Sequence, residues 1–144
     1  LTETVDMVGG ELASVFGPFS LQAEGIASYL DVSGDSDPLL GYYATVGYLL
    51  TGESKSYSTS GMLGRVTPKN NFGPEGIGAV EPLVRYSALD LDGAGANAGV
   101  LTAISAGVNW SLNPKSRVML NYVYGDHDTN GAVSTVQMRF SVDI

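Results

Sequence analysis

Arg85, Arg117 and Arg139 each lie in a stretch whose side chains alternate in character, in phase with other polar groups. Arg85 shares its phase with Glu81, Arg117 with Asn121 and Arg139 with Gln137, and Asn109 belongs to the same set. A planar guanidinium grips phosphate through two hydrogen bonds, so arginines beside neutral amides can form a relay of weak anion sites. The alternative is that each arginine neutralises a carboxylate on its own face. Lys55, Arg65 and Lys69 fall within 52–78, where acids stand only near the edges, at Glu53 and Glu75. That segment reads either as a solvated loop or as a basic stretch that draws in anions.

Other chemistries find little to work with. The single histidine, His127, sits between Asp126 and Asp128 in a polar turn, short of the three or four fixed ligands of a metal site. No serine lies in a G-x-S-x-G frame followed by an acid and a histidine. The loop at Asp92-Gly93 lacks the alternating ligands and final Glu of a calcium loop. The GAGANAG run (93–99) has no helix after it to cradle phosphate. Glu24 and Glu81 show no pairing suited to acid–base work. The sequence therefore assigns no catalytic residue, metal or cofactor.

The elements that position these groups read as strands. In residues 99–128, Val100, Ile104, Ala106, Val108 and Trp110 share one face and Ala103, Ser105, Gly107 and Asn109 the other. After Asn113-Pro114-Lys115-Ser116 the alternation resumes, with Val118, Leu120, Tyr122 and Tyr124 opposite Arg117, Met119, Asn121 and Val123. A two-residue period excludes a helix. Pro114 suits the second position of a type I turn, and Asn113 can hydrogen-bond its own backbone. Further strands are expected over 11–17, 19–32, 40–51, 79–90 and 133–144. Pro82 cannot donate to a ladder, which implies a bulge or a locally unpaired position. The turns at 17–18 and 113–116 are minimal, whereas 33–38, 91–98 and 126–132 are longer and polar. The acids Asp35, Asp37, Asp90, Asp92, Asp126 and Asp128 gather in or beside the longer connections.

Composition narrows the class. The chain has 144 residues and a formal net charge of −8, which disfavours nucleic acid as a partner. Charged residues are 15%, below the roughly 25% of ordinary soluble domains. Without cysteine there is no disulfide or thiolate chemistry. No run approaches the ~20 apolar residues of a membrane helix, so any encounter with a bilayer is through strands. Apolar stripes carrying Trp110, Tyr122 and Tyr48 suit lipid-facing strands, because Trp and Tyr settle at the hydrocarbon–water boundary. No helix, repeat or domain boundary interrupts 1–144, and the chain starts at Leu1, as expected of a processed product or part of a longer chain.

Several stretches in order resemble the phosphate-selective porin O and P family: GYYATVGYLLTGESKSY (41–57), GRVTPKNNFG (64–73), LVRYSALDL (83–91), GVNWSLNPKSRVMLNYVYGD (107–126) and VQMRFSVDI (136–144). The resemblance implies an all-β, antiparallel, up-and-down transmembrane barrel of about sixteen strands, of which this chain supplies about seven C-terminal ones. It further implies the outer membrane of a Gram-negative bacterium, a homotrimer, contact with membrane lipid and lipopolysaccharide, and passive passage of phosphate-like anions. Arg85, Arg117 and Arg139 would then line the lumen, with Lys55, Arg65 and Lys69 in the connection on the periplasmic side. Trp110, Tyr122 and Tyr48 would form the aromatic girdle. The family also carries a long connection before its RYS strand. Ile144 departs from the terminal Phe usual in such barrels, and seven strands alone would leave backbone edges unpaired in lipid. Two other classes compete: a small soluble β-barrel holding an apolar ligand inside, and a structural barrel in a surface assembly without transport.

Overall fold

The computed structural model describes residues 4–30, 37–57, 63–93 and 98–143. Asp35, most of the GAGANAG run and Ile144 lie outside the described residues. Seven strands follow one another: β1 (Val5–Phe16), β2 (Phe19–Leu30), β3 (Leu39–Tyr48), β4 (Ala79–Asp90), β5 (Val100–Ser111), β6 (Ser116–His127) and β7 (Gly131–Val142). Each pairs antiparallel with its neighbours in sequence, giving one sheet in the order β1 to β7. Six strands have 12 residues, about 40 Å of extended chain. Tilted near 45°, that length spans the ~30 Å of a bilayer's hydrocarbon core.

The register sorts every strand residue onto one of two faces. Across the sheet, Val46, Val84, Ala106, Tyr122 and Val136 stand in one row. This face carries Leu12, Phe16, Tyr42, Tyr86, Ile104, Val108, Leu120, Met138 and Phe140, all largely exposed. Its acids, Asp6, Asp90 and Asp126, all stand at the end bearing the longer loops. The opposite face carries Glu11, Glu24, Glu81, Arg85, Arg117 and Arg139 amid Ser, Gly, Asn and Gln, with apolar side chains among them, as at Met7, Ile26, Leu89, Leu101 and Val133. Among the described residues the buried apolar set is four side chains, Leu49, Val66, Ala79 and Ala88. Among the described residues no second layer covers the apolar face, the reverse of a soluble sandwich. Nor do β1 and β7 meet, so the closed seven-strand soluble barrel with Trp110 inside is not what this chain builds.

Two boundaries differ from the alternation-based expectation. β1 begins at Val5 rather than at 11, because the pairing Val5↔Leu30 to Gly10↔Gly25 extends the ladder through a glycine-interrupted stretch. β3 ends at Tyr48 rather than 51, and Pro82 explains where. Val80 and Pro82 point the same way along β4, toward β3; the Val80 carbonyl accepts from the Leu50 N–H. The next bond would come from Pro82, which has no N–H, and β3–β4 pairing stops at Gly47↔Leu83. On its other side Pro82 pairs with Val108 in unbroken register, with no bulge.

The minimal turns behave as their residues require. Gly17 takes φ +57° before Pro18, the positive φ a two-residue hairpin needs at its first position. The Asn113 Oδ1 accepts from the N–H groups of Lys115 and Ser116, both at 2.8 Å, holding the β5–β6 turn.

Candidate functional site

The polar face and the long connection between β3 and β4 form one unit. The connection leaves β3 at Leu49, whose N–H donates to the Pro18 carbonyl, and Leu49 itself is buried. It then lies against the polar face. Lys55 reaches Glu81, Nζ to Oε1 2.5 Å, and the other Glu81 oxygen accepts from Asn109 Nδ2 at 3.1 Å. Ser20 on β2 adds a 3.4 Å contact to Glu81. Glu81 is 3% exposed, so this carboxylate is buried and paired. Gly47 makes the room: a Cβ there would fall on the Glu81 carboxylate and the Ser20 hydroxyl.

A second buried carboxylate holds the connection to itself. Glu53 accepts from the Thr51 hydroxyl and from the Lys69 N–H. The Lys69 ammonium donates to the Gly52 carbonyl at 2.6 Å, and the Thr51 hydroxyl also accepts from the Val80 N–H at 3.3 Å. Burial works against the charge of Glu53, but the Lys69 N–H, the Thr51 hydroxyl, its own N–H and the Lys69 ammonium outweigh it. The carboxyl is held below its ordinary value. Further along, Arg65 pairs with Asp143, just past β7. The Phe72 N–H donates to the Leu112 carbonyl at 2.7 Å, and the Phe72 ring meets Trp110 edge-on at 5.0 Å. Trp110 Nε1 donates to the Ile77 carbonyl at 2.6 Å.

The structure thus commits all three cations of the connection to internal contacts: Lys55 to Glu81, Arg65 to Asp143 and Lys69 to the Gly52 carbonyl. The strand arginines differ. Arg85 lies with its guanidinium carbon 3.8 Å from the Tyr43 ring centroid, a cation–π contact. Arg117 has its Nε buried without a hydrogen-bond partner among the described residues. Arg139 stands on the exposed edge strand β7. In register they fall level with Ala79 (Arg117), Glu81 (Arg139) and Arg85 itself. Six residues of strand, about 20 Å, separate the first level from the last. Of the three aromatics read as a girdle, Tyr48 and Trp110 end their strands at the short-turn end. Tyr122, paired with Ala106, lies mid-strand.

Sequence reasoning missed the network of Ser20, Thr51, Glu53, Glu81 and Asn109. The signal available was Thr51-Gly52-Glu53 just past an apolar strand, a turn that folds a carboxylate back onto backbone N–H groups. At the opposite end His127 ties loops together: Nδ1 faces the Thr129 and Asn130 N–H groups at 3.2 Å each, and Nε2 lies 3.0 Å from the Ala98 carbonyl. Asp128 is held below its ordinary value, chiefly by the Val100 N–H. Among the described residues no three His, Cys, Asp or Glu side chains converge on one point where an ion could sit.

A family model for the phosphate-selective porins O and P matches residues 2–144. This chain belongs to that family. Porin O of Pseudomonas aeruginosa is 32% identical over 155 residues, which cover 92% of this chain and 34% of that protein. An uncharacterized protein of Caulobacter vibrioides is 34% identical over 115 residues, covering 79% of this chain and 23% of the relative. The porin chain therefore spans about a third, or less, of the relatives it matches. The all-β meander of seven strands, with an apolar and a polar face, is the porin wall its motifs led one to expect.

Proposed function

We propose that this chain forms part of the wall of a water-filled outer-membrane channel that passes small solutes passively and favours anions. The observation that carries the reading is the division of one sheet into an exposed apolar face and a polar face bearing Arg85, Arg117 and Arg139. Only a barrel wall with lipid on one side and water on the other gives both faces suitable surroundings. In that setting the apolar face meets membrane lipid and lipopolysaccharide, and the remaining strands close the barrel to about sixteen. Three copies make the functional trimer.

The mechanism is electrostatic and steric, with no covalent step. Lumen arginines offer a passing anion successive guanidinium partners, each weak enough to release it to the next. Arg85, exposed and stacked on Tyr43, retains guanidinium N–H donors for a solute. The connection, latched through Lys55–Glu81, narrows the lumen at the short-turn end and uses its own cations to hold that position. The test is the zero-current potential of the full-length protein in planar bilayers across a salt gradient. Anion preference, reduced by Arg85→Gln and Arg117→Gln together, is the expected result. Cation preference, or none, would overturn anion selectivity.

A further inference from the structure

The polar face turns apolar toward its long-loop end, at Val5 and Met7 on β1, Ile26 on β2, Leu89 on β4, Leu101 on β5 and Val133 on β7. Toward the long-loop end of β2, β3 and β4, three rows follow one another. Gln22, Thr45 and Arg85 form the first, Glu24, Tyr43 and Ser87 the second, and Ile26, Gly41 and Leu89 the third. The third row is a notch: Gly41 is its floor, and Ile26 and Leu89, 44% and 40% exposed, are its walls. Leu39 and Leu91 close its upper side, and the depression measures about 490 Å³. That lies within the ~300–1,000 Å³ usual for small-molecule sites. Side by side over a glycine, Ile26 and Leu89 offer a recessed apolar surface that the hydrocarbon part of a ligand can cover.

The groups below the notch carry both signs of charge. Arg85 is fixed over the Tyr43 ring, and Glu24 stands directly beside Tyr43 in the β2–β3 register. Gln22 Nε2 is 3.1 Å from the Tyr43 hydroxyl. Glu24 also stands directly opposite Glu11 in the β1–β2 register, so two carboxylates face each other across the strands. A like-charged cross-strand pair is unfavourable alone and is relieved by a cation. A simple anion would meet Arg85 but be repelled by Glu24. A ligand with both charges satisfies both.

We infer that this notch is a binding subsite for zwitterionic amino acids with branched-aliphatic or aromatic side chains. The carboxylate lies on Arg85, the ammonium toward Glu24, and the side chain in the Ile26–Gly41–Leu89 hollow. The inference rests on the channel reading insofar as this face must be the wet one. It is separable from ion selectivity, because the ligand carries no net charge.

The test uses the full-length protein in planar bilayers, reading reduction of the open-channel current by L-phenylalanine and L-leucine relative to inorganic phosphate. Expected half-effect concentrations are about tenfold lower for phenylalanine than for glycine, hydrocinnamate or phenethylamine, each of which lacks one of the three contacts. Gly41→Val fills the notch and Leu89→Ser removes a wall; either shifts the phenylalanine value, normalised to phosphate, about tenfold upward. Hydrocinnamate as potent as phenylalanine would overturn the zwitterion in favour of a plain organic anion. Phenylalanine potency untouched by both variants would overturn the site and mean that another segment of the protein covers the notch. Equilibrium binding of labelled phenylalanine to the detergent-solubilised protein, with the same variants, reads the site without conduction. A protein that binds but conducts no ion overturns the channel reading and leaves the site standing.

Discussion

Glu81 is the residue on which the most depends, being buried on a polar face and matched to a cation from 26 residues upstream. Removing one member of a buried pair costs more than the pair contributes, because the survivor is left desolvated. Glu81→Gln should therefore free the connection, at a local cost of about 3 kcal/mol. It is measured as faster tryptic cleavage within 49–78 of the folded protein; the double variant Lys55→Met/Glu81→Gln should recover part of the loss. Glu53 gives a pH dependence of definite sign. Its folded-state carboxyl sits below the ordinary value, so its contribution is fully present above about pH 4.3. It is lost as pH falls from there through the lower folded value. Hydrogen exchange of amides in the connection, divided by the intrinsic rate at each pH, should be flat from neutral pH to about 5 and rise below about 4, with Thr51→Ala raising the onset.

The elements were largely legible, and their boundaries fail for identifiable reasons. Strict alternation located β4, β5 and β6 almost to the residue, since each carries a full apolar stripe opposite small and polar side chains. The start of β1 was hidden by Gly9-Gly10 and Asp6, which weaken the periodic signal where the partner strand supplies the ladder. Pro82 signalled a defect correctly but not its side: the gap faces β3, and the β5 ladder runs past it intact. The inward course of the connection left no mark in any local pattern, because it depends on Lys55 meeting a residue on a strand not yet formed. Trp110 belongs to this scale as well. It lies on the apolar face, yet its indole N–H and ring fasten the return of the connection at Ile77 and Phe72. Trp110→Ala should cost about 2 kcal/mol from one hydrogen bond and one edge-on ring pair. Trp110→Phe should cost roughly half, and heat-modifiability on unheated gels would rank the three proteins.

For the whole sheet, the two faces give opposite responses to the same substitution on adjacent residues. Val136→Arg puts a cation mid-strand on the apolar face and should destabilise the folded protein by about 2–4 kcal/mol. Gln137→Arg, one residue on, should leave the melting behaviour nearly unchanged and strengthen anion preference. A sheet with water on both faces would make the two variants alike, so urea unfolding from bilayers separates the possibilities. The polar face carries three glutamates and three arginines on its strands. The net charge of −8 therefore describes mainly the loops and ends, and it said little about the wall. The arginines were legible as lumen candidates because alternation fixes the face. Their partners were not, since cross-strand neighbours depend on register.

The uninterrupted order β1 to β7 means that every strand pairs only with the strands before and after it in the chain. Assembly can then proceed as a running zipper, each new hairpin docking on the last without any search for a distant partner. The one pause in that sequence is at β3, where Pro82 halts pairing and the chain departs for 30 residues before β4 arrives. The slowest step in building this wall should be the arrival of β4, and a prolyl position sets where the zipper waits.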